Sequence, residues 1–537
     1  MFFAKALRYL RGREPPKSSS KSLDDLPNEL LDWICGYCDK PGIKALRLAC
    51  RTTSHVATAY LFPEVVMLMN RDSLEACHGV AAHPIFSKTA RNLWIQADRP
   101  RKTTLEEWNL ELKEITELDL ITVASDRIDQ ELVVGSREHT AAMDAVFREA
   151  RNQFHIEKSP LSKEQRQCYH AHAVRLATDA QQMMRDQSLF ACLREVLTKC
   201  DQIDSVDLTT CHHLRKATTA HNKSFAQGLL RPFGDLNEQE SGVDAMTQLM
   251  LAASSVGFKP KKINLGNLSH LILINKEDFS EQLQELFTNV EHLVWEFSVP
   301  VYDDAFTLDR DAYEDIAPDL RETKALVSLM EVTTKLQHLR LELPDHPDAD
   351  IYVTLQDIVG GTTWRHLTHL DIANFEAKPD DLTDLLIRHR DTLAHVKLGT
   401  VCLQTGTWPE CFETFAGKLP KIEQFEVRGR FSDDSIDESF LWFGWPDEKH
   451  NNARGEEIRK FIINGGEECP AIHYQHDEDE STSEHPSEGN DEDGNVDLGD
   501  DEDDDDAEHE DIYGLDEDDQ GHGPIYQTPN GPWPWIG

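Results

Sequence analysis

Three observations in this 537-residue chain predict an α/β protein: a short helical unit, then a curved parallel sheet with its helices outside, then a disordered acidic tail. Near the N-terminus, short runs between Leu23 and Val66 place apolar residues at helical spacing. From residue 90 to about 430 a pattern of apolar-x-x-apolar-x-apolar keeps returning, which is the signal of a repeated strand unit. Beyond Lys460 there is no Lys or Arg, while 26 Asp and Glu fall between Phe461 and Gly537; removing those 26 from a formal net charge of -44 leaves -18 for the first 460 residues. That remainder is an ordinary value for an acidic globular body, so the excess charge belongs to the tail.

The opening Met1 to Leu10, with Arg11 and Arg13, is basic and amphipathic but soon meets Glu14-Pro15-Pro16. Residues 1–22 are expected to form a disordered basic arm and linker, because Pro15 to Ser22 has linker composition and no apolar periodicity. A helix then follows Leu23-Asp24-Asp25-Leu26-Pro27, with the acidic pair at its start, Pro27 in its first turn and Leu30, Leu31 and Ile34 on one face. Pro41-Gly42 is expected to stop it. A second run carries Ile43, Leu46, Ala49 and Cys50, and a third, from Thr53 to Leu61, carries Val56, Ala57 and Tyr60. Three short helices in about forty residues make a core near the lower limit for independent folding, so the unit gains from a partner.

These residues resemble the F-box: Leu26-Pro27-x-Glu29-Leu30-x-x-x-Ile34, then Leu46-Arg47-Leu48-Ala49-Cys50-Arg51, then Leu61-Phe62-Pro63-Glu64-Val65-Val66, in the order and spacing of that family. The resemblance covers residues 23–68. It implies docking on the Skp adaptor and, through it, on the cullin of an SCF-type ubiquitin ligase, with Leu26, Pro27, Leu30, Ile34, Leu46 and Leu48 supplying much of the contact. Tyr37, where many members carry a small aliphatic residue, and the brief Asp39-Lys40-Pro41-Gly42 turn depart from the family pattern.

The strand copies run Ala90, Leu93, Ile95; Ile115, Leu118, Leu120; Ile203, Val206, Leu208; and, truncated, Ile263, Leu265. They continue as Val290, Leu293, Trp295; Leu336, Leu339, Leu341; Leu367, Leu370, Ile372; Leu393, Val396, Leu398; and Ile422, Phe425, Val427. The last four start 31, 26 and 29 residues apart, close to the spacing of leucine-rich repeats, with room for one strand and one helix each. Leu382, Leu385, Leu386 and His389 form one helical face before a strand, and Cys411, Phe412 and Phe415 form another. A doubly wound sheet also alternates strands with helices, but its strands are usually uninterrupted apolar runs, whereas these alternate apolar with polar. Residues 69–470 are therefore read as an irregular leucine-rich-repeat-like solenoid, resembling arrays that follow the F-box in many fungal proteins. It carries a helical insertion near 137–199 and an acidic, aromatic one at Ser298 to Arg321. Ile458, Phe461, Ile462 and Ile463 before Gly465-Gly466 look like a closing helix.

Residues 471–537 are too acidic and polar to bury a core and are expected to be disordered. The bland role of such a tail is solubility; the sharper one is binding basic proteins such as histones. Eleven cysteines in a chain this long do not make a disulfide scaffold, and the odd count reads as reduced thiols of the cytoplasm or nucleus. The acidic balance argues against nucleic acid, and no apolar run is long enough for a membrane span. The strong catalytic motifs are absent from the sequence, so no cofactor and no catalytic role is expected. Cys35 and Cys38 have the spacing of half a zinc site, with Cys211, His212 and His213 as a conceivable second half. Zinc needs four convergent ligands, and no matching second knuckle is present.

In each strand copy the residue between the last two apolar positions points away from the core. That selects Trp94, Asp119, Asp207, Asn264, Arg340, Asp371, Lys397 and Glu426 as candidate substrate contacts on the concave face, a set of mixed charge suited to a target read by charge complementarity. The sequence thus predicts a non-catalytic substrate receptor of a ubiquitin ligase for an unidentified protein target. The competing expectation is a ubiquitin-independent leucine-rich scaffold whose acidic tail binds histones or other basic proteins.

Overall fold

The computed structural model describes residues 26–99, 102–114, 162–210, 238–274, 280–298, 314–344, 352–433, 440–443, 449–466 and 468–470. The expected arm and linker at 1–22, the strand copy at Ile115 to Leu120 with Asp119, the first part of the helical insertion and the tail at 471–537 lie outside them.

Three helices open the described chain: α1 (Asn28–Gly36), α2 (Lys40–Ala49) and α3 (Arg51–Thr58). Pro27, in extended backbone, starts α1, and its carbonyl accepts the N–H groups of Leu30 and Leu31, both at 3.1 Å. Pro41 and Gly42 do not stop that helix; they form the first turn of α2. The Asp39 carboxylate caps α2 by accepting from the Gly42 N–H at 2.8 Å, and Pro41 suits a position whose own N–H would be unsatisfied. Cys50 caps α3: its sulfur accepts from the Thr53 N–H, and the Thr53 hydroxyl oxygen accepts from the Cys50 N–H while donating to the Leu46 carbonyl at 2.8 Å. Burial, and the hydrogen bond the Tyr60 hydroxyl donates to Asp32, push the tyrosine pKa up to about 12. The buried apolar side chains of this unit are few: Leu31, and a cluster of Cys35, Ile43, Ala57 and Leu61 with Leu46, Val56, Tyr60 and Phe86 against it.

Ten strands then lie in chain order across one open sheet: β1 (Glu64–Leu68), β2 (Asn92–Gln96), β3 (Ser205–Thr209), β4 (Lys262–Ser269), β5 (His292–Ser298), β6 (His338–Glu342), β7 (His369–Ala377), β8 (His395–Leu403), β9 (Gln424–Ser432) and β10 (Phe440–Phe443). The first nine are parallel, and β10 runs antiparallel to β9. The sheet begins inside the 23–68 region, because Phe62, Val65 and Met67 are themselves a copy of the strand pattern and β1 pairs in full register with β2. Adjacent strand bases are also joined by backbone. The Glu291 carbonyl accepts from Gln337 and His338, Gln337 from Thr368 and His369, Thr368 from Ala394 and His395, and Ala394 from Glu423 and Gln424, all at 2.8 to 3.1 Å. This shared hydrogen bonding satisfies the strand entrances and fixes the register.

Register aligns Val65, Leu93, Val206, Ile263, Leu293, Leu339, Leu370, Val396 and Phe425 in one row, none more than 2% exposed. They share one continuous core with the helices between the strands. Those helices include α4 (Arg71–Ala82), α5 (Lys163–Arg185), α6 (Ser188–Lys199), α7 (Glu238–Val256), α8 (Ser280–Phe287), α9 (Ile316–Thr323), α10 (Ala325–Val332), α11 (Leu355–Val359), α12 (Pro379–Arg388), α13 (Trp408–Phe415) and, last, α14 (Lys449–Asn464). The expected faces of α12 and α13 are buried, and so is His389, whose Nε2 accepts from the Trp364 N–H at 2.9 Å while its Nδ1–H donates to the Leu385 carbonyl at 2.8 Å. Three non-glycine residues in strands, Asn267, Asn374 and Thr400, have left-handed backbone, and so has Gly429, where a Cβ would also collide with the Thr400 hydroxyl. Register shifts interrupt the β4–β5 and β8–β9 pairings beside Asn267 and Thr400. At the far end α14 buries Ile458 and Ile462, and Gly465, left-handed at φ 73°, caps it with a 2.8 Å bond to the Phe461 carbonyl.

Candidate protein-binding site

Two surfaces carry the residues nominated by sequence. The first is the outer face of α1 and α2. Among the described residues the exposed large hydrophobic side chains are Leu30 (45%), Trp33 (71%), Tyr37 (90%), Leu48 (88%) and Phe62, all within this N-terminal unit. Leu30, Trp33 and Tyr37 recur at the spacing that makes one stripe along a helix. Of the other adaptor residues expected from the resemblance, Pro27 is exposed, Leu26 and Ile34 are half-buried, and Leu46 turns inward against Ile43 and Cys35. Trp33 and Tyr37 were not nominated, although their helical phase with Leu30 was readable.

The second surface is the sheet face opposite the core. Trp94, Asp207, Asn264, Val294, Arg340, Asp371, Lys397 and Glu426 occupy successive strands in one register row. The seven nominated residues that are described are thus brought together, with Val294 completing the row, and Asp119 lies outside the described residues. They are engaged with each other rather than standing open. Asp207 accepts from the Asn92 and Asn264 side-chain amides on either side. Arg340, 7% exposed, donates to Glu342 at 2.7 Å and lies 3.4 Å from Glu296 and 3.8 Å from Asp371. Burial by itself would lower its pKa, but Glu342, Glu296 and Asp371 outweigh burial and hold it above its ordinary value. Lys397 pairs with Glu426 at 3.5 Å.

Arg428 joins this network from three strands away, reaching Glu342 at 3.4 Å. Its path is made by small residues: Glu342, Ala373, Gly399 and Arg428 share a row, and a Cβ at Gly399 would meet the Arg428 Nε at 2.9 Å. At the strand entrances a third row holds His292, His338, His369 and His395, stacked ring on ring.

Among the described residues no group of three or more His, Cys, Asp or Glu is arranged to hold a metal ion, and no helix is long and apolar enough to cross a membrane. Cys35 is buried in the helical core, and Cys211 to His213 lie outside the described residues. No family model matches the chain, and no curated protein matches its sequence. The described chain is an α/β protein with nine parallel strands in an open sheet.

Proposed function

We propose that the protein is a non-catalytic receptor that docks through its N-terminal helices on the Skp adaptor of a cullin ubiquitin ligase and presents a protein target with its sheet, as an F-box followed by a leucine-rich-repeat-like array would. The observation that carries this reading is the concentration of exposed apolar side chains on α1 and α2, in the stretch whose residues resemble the F-box. A unit with so small a core gains no stability from Trp33, Tyr37 and Leu48 while they stay in water, and docking would supply it: fully burying such a side chain contributes about 1.5–3 kcal/mol. Large exposed apolar patches on soluble domains mark interaction surfaces. Catalysis would then belong to the partners, through proximity and orientation.

The test is a pull-down of the full chain and of a Leu30→Asp, Leu48→Asp variant, probed for the Skp adaptor and cullin. Both side chains are exposed, so the variant should keep its fold, while an unpaired charge buried in the interface should abolish binding. Adaptor retained by the wild type and lost by the variant supports the reading. A folded wild type that captures no adaptor removes it.

A further inference from the structure

The histidine row at the strand entrances has no part in the docking reading, yet its geometry is regular. Ring centroids are 5.8 Å apart for His292 and His338, 5.0 Å for His338 and His369, and 4.2 Å for His369 and His395, with interplanar angles of 25°, 25° and 12°. The side chains are fixed by the parallel register and by the shared backbone hydrogen bonds beneath them. We propose that this stack is an acid-sensitive seam: closed at neutral pH, it opens as the pH falls, when charge gathering on His292, His338 and His369 parts strands β5 to β8 at their entrances.

The surroundings favour the neutral form. Lys262 stands beside His292 in register, and Arg340 lies two residues along the strand from His338 on the same sheet face. The nearby carboxylates are Glu291 next to His292, Glu423 at 4.0 Å from the His395 Nε2, and Asp371, which is held by Arg340. His369 Nδ1 bonds the Thr368 hydroxyl at 2.8 Å, and His395 Nδ1 faces the Gln424 amide oxygen at 3.3 Å. Burial, followed by the neighbouring rings and Arg340, lowers the His338 pKa to about 4; burial also lowers those of His292 and His369, helped respectively by Lys262 and by His395. A histidine with a depressed folded-state pKa contributes its full stability above the unfolded value of about 6.5 and loses it as the pH falls toward the folded value. The seam therefore weakens below about pH 6.5.

The experiment measures the thermal midpoint of the full chain from pH 7.5 to pH 5.0 for the wild type, a His338→Gln, His369→Gln variant, and a His366→Gln control at an exposed histidine outside the row. The wild type and control should fall steeply with acid, and the double variant should lose most of that fall. Equal falls in all three overturn the proposal. Should the double variant not fold, hydrogen exchange of the wild type decides, with the histidine-free strands β1 to β3 as internal reference. After correction for intrinsic rate, protection in β5 to β8 should drop about tenfold or more relative to β1 to β3 between pH 7.5 and 5.0. Parallel changes in both groups of strands overturn it.

Discussion

The N-terminal helices and the sheet handle their side chains in opposite ways. The helical unit buries few apolar side chains, Leu31, Cys35, Ile43, Ala57 and Leu61, and leaves Leu30, Trp33, Tyr37 and Leu48 in water; the sheet buries a continuous core and pairs much of its polar face as well, down to Arg340 among three carboxylates. A small element cannot hide every large apolar side chain it carries, so those left outside are available for a partner. A row of charges paired largely with one another does other work: it ties neighbouring strands together. Substitutions in the two regions should therefore separate cleanly into effects on binding and effects on stability.

The largest effect is expected at Arg340→Met, which leaves buried Glu296 and half-buried Asp371 without their cation and Glu342 with Arg428 alone. Breaking a buried pair this way costs about 3–5 kcal/mol, to be read from urea unfolding; a loss under about 1 kcal/mol would mean that the network is loosely solvated. Gly399→Val should come next, at about 1–3 kcal/mol by the same measurement, because the new side chain displaces Arg428 from its path to Glu342. Within the helices, Thr53→Val removes the acceptor for the Cys50 N–H and the donor to Leu46, and should cost about 0.5–2 kcal/mol in thermal unfolding of the full chain. Trp33→Ala should leave stability within about 0.5 kcal/mol while weakening adaptor capture. If it destabilises the chain instead, the outer face of α1 is structural and the contrast between the two regions fails.

Much of the sheet was legible because its pattern is local. Leu339 and Leu341 announce a strand in any one copy, and repetition supplies the rest. What escaped depended on register or on breaking the pattern. The sequence reading placed Arg340 and Asp371 in one row but missed Arg428, which reaches Glu342 past Ala373 and Gly399 from a strand more than eighty residues on. The histidine row had a readable signal, a His immediately before the first inward residue of four consecutive strands, but histidines weighed singly carry little meaning. Thr400 offered no warning of its left-handed backbone, since a β-branched residue disfavours it. Strand β10 has no repeat partner at all, and β1 was absorbed into the helical region because Leu61 to Val66 served both patterns. On the outer face of the helices Leu30 and Leu48, nominated from sequence, are exposed, whereas the inward turn of Leu46 needed the packing of the three helices around one small core.

The reversal at β10 has a consequence for how such a chain can lengthen. Each parallel strand leaves an edge on which another strand-and-helix unit can be laid, so copies can be gained or lost between β1 and β9 without changing the rule of assembly. An antiparallel strand breaks that rule, so a copy added beyond it in the same direction as β1 to β9 would have to pair antiparallel. Duplication or deletion during evolution would then be recorded in the interior of the array, while the two terminal units stay fixed as bookends.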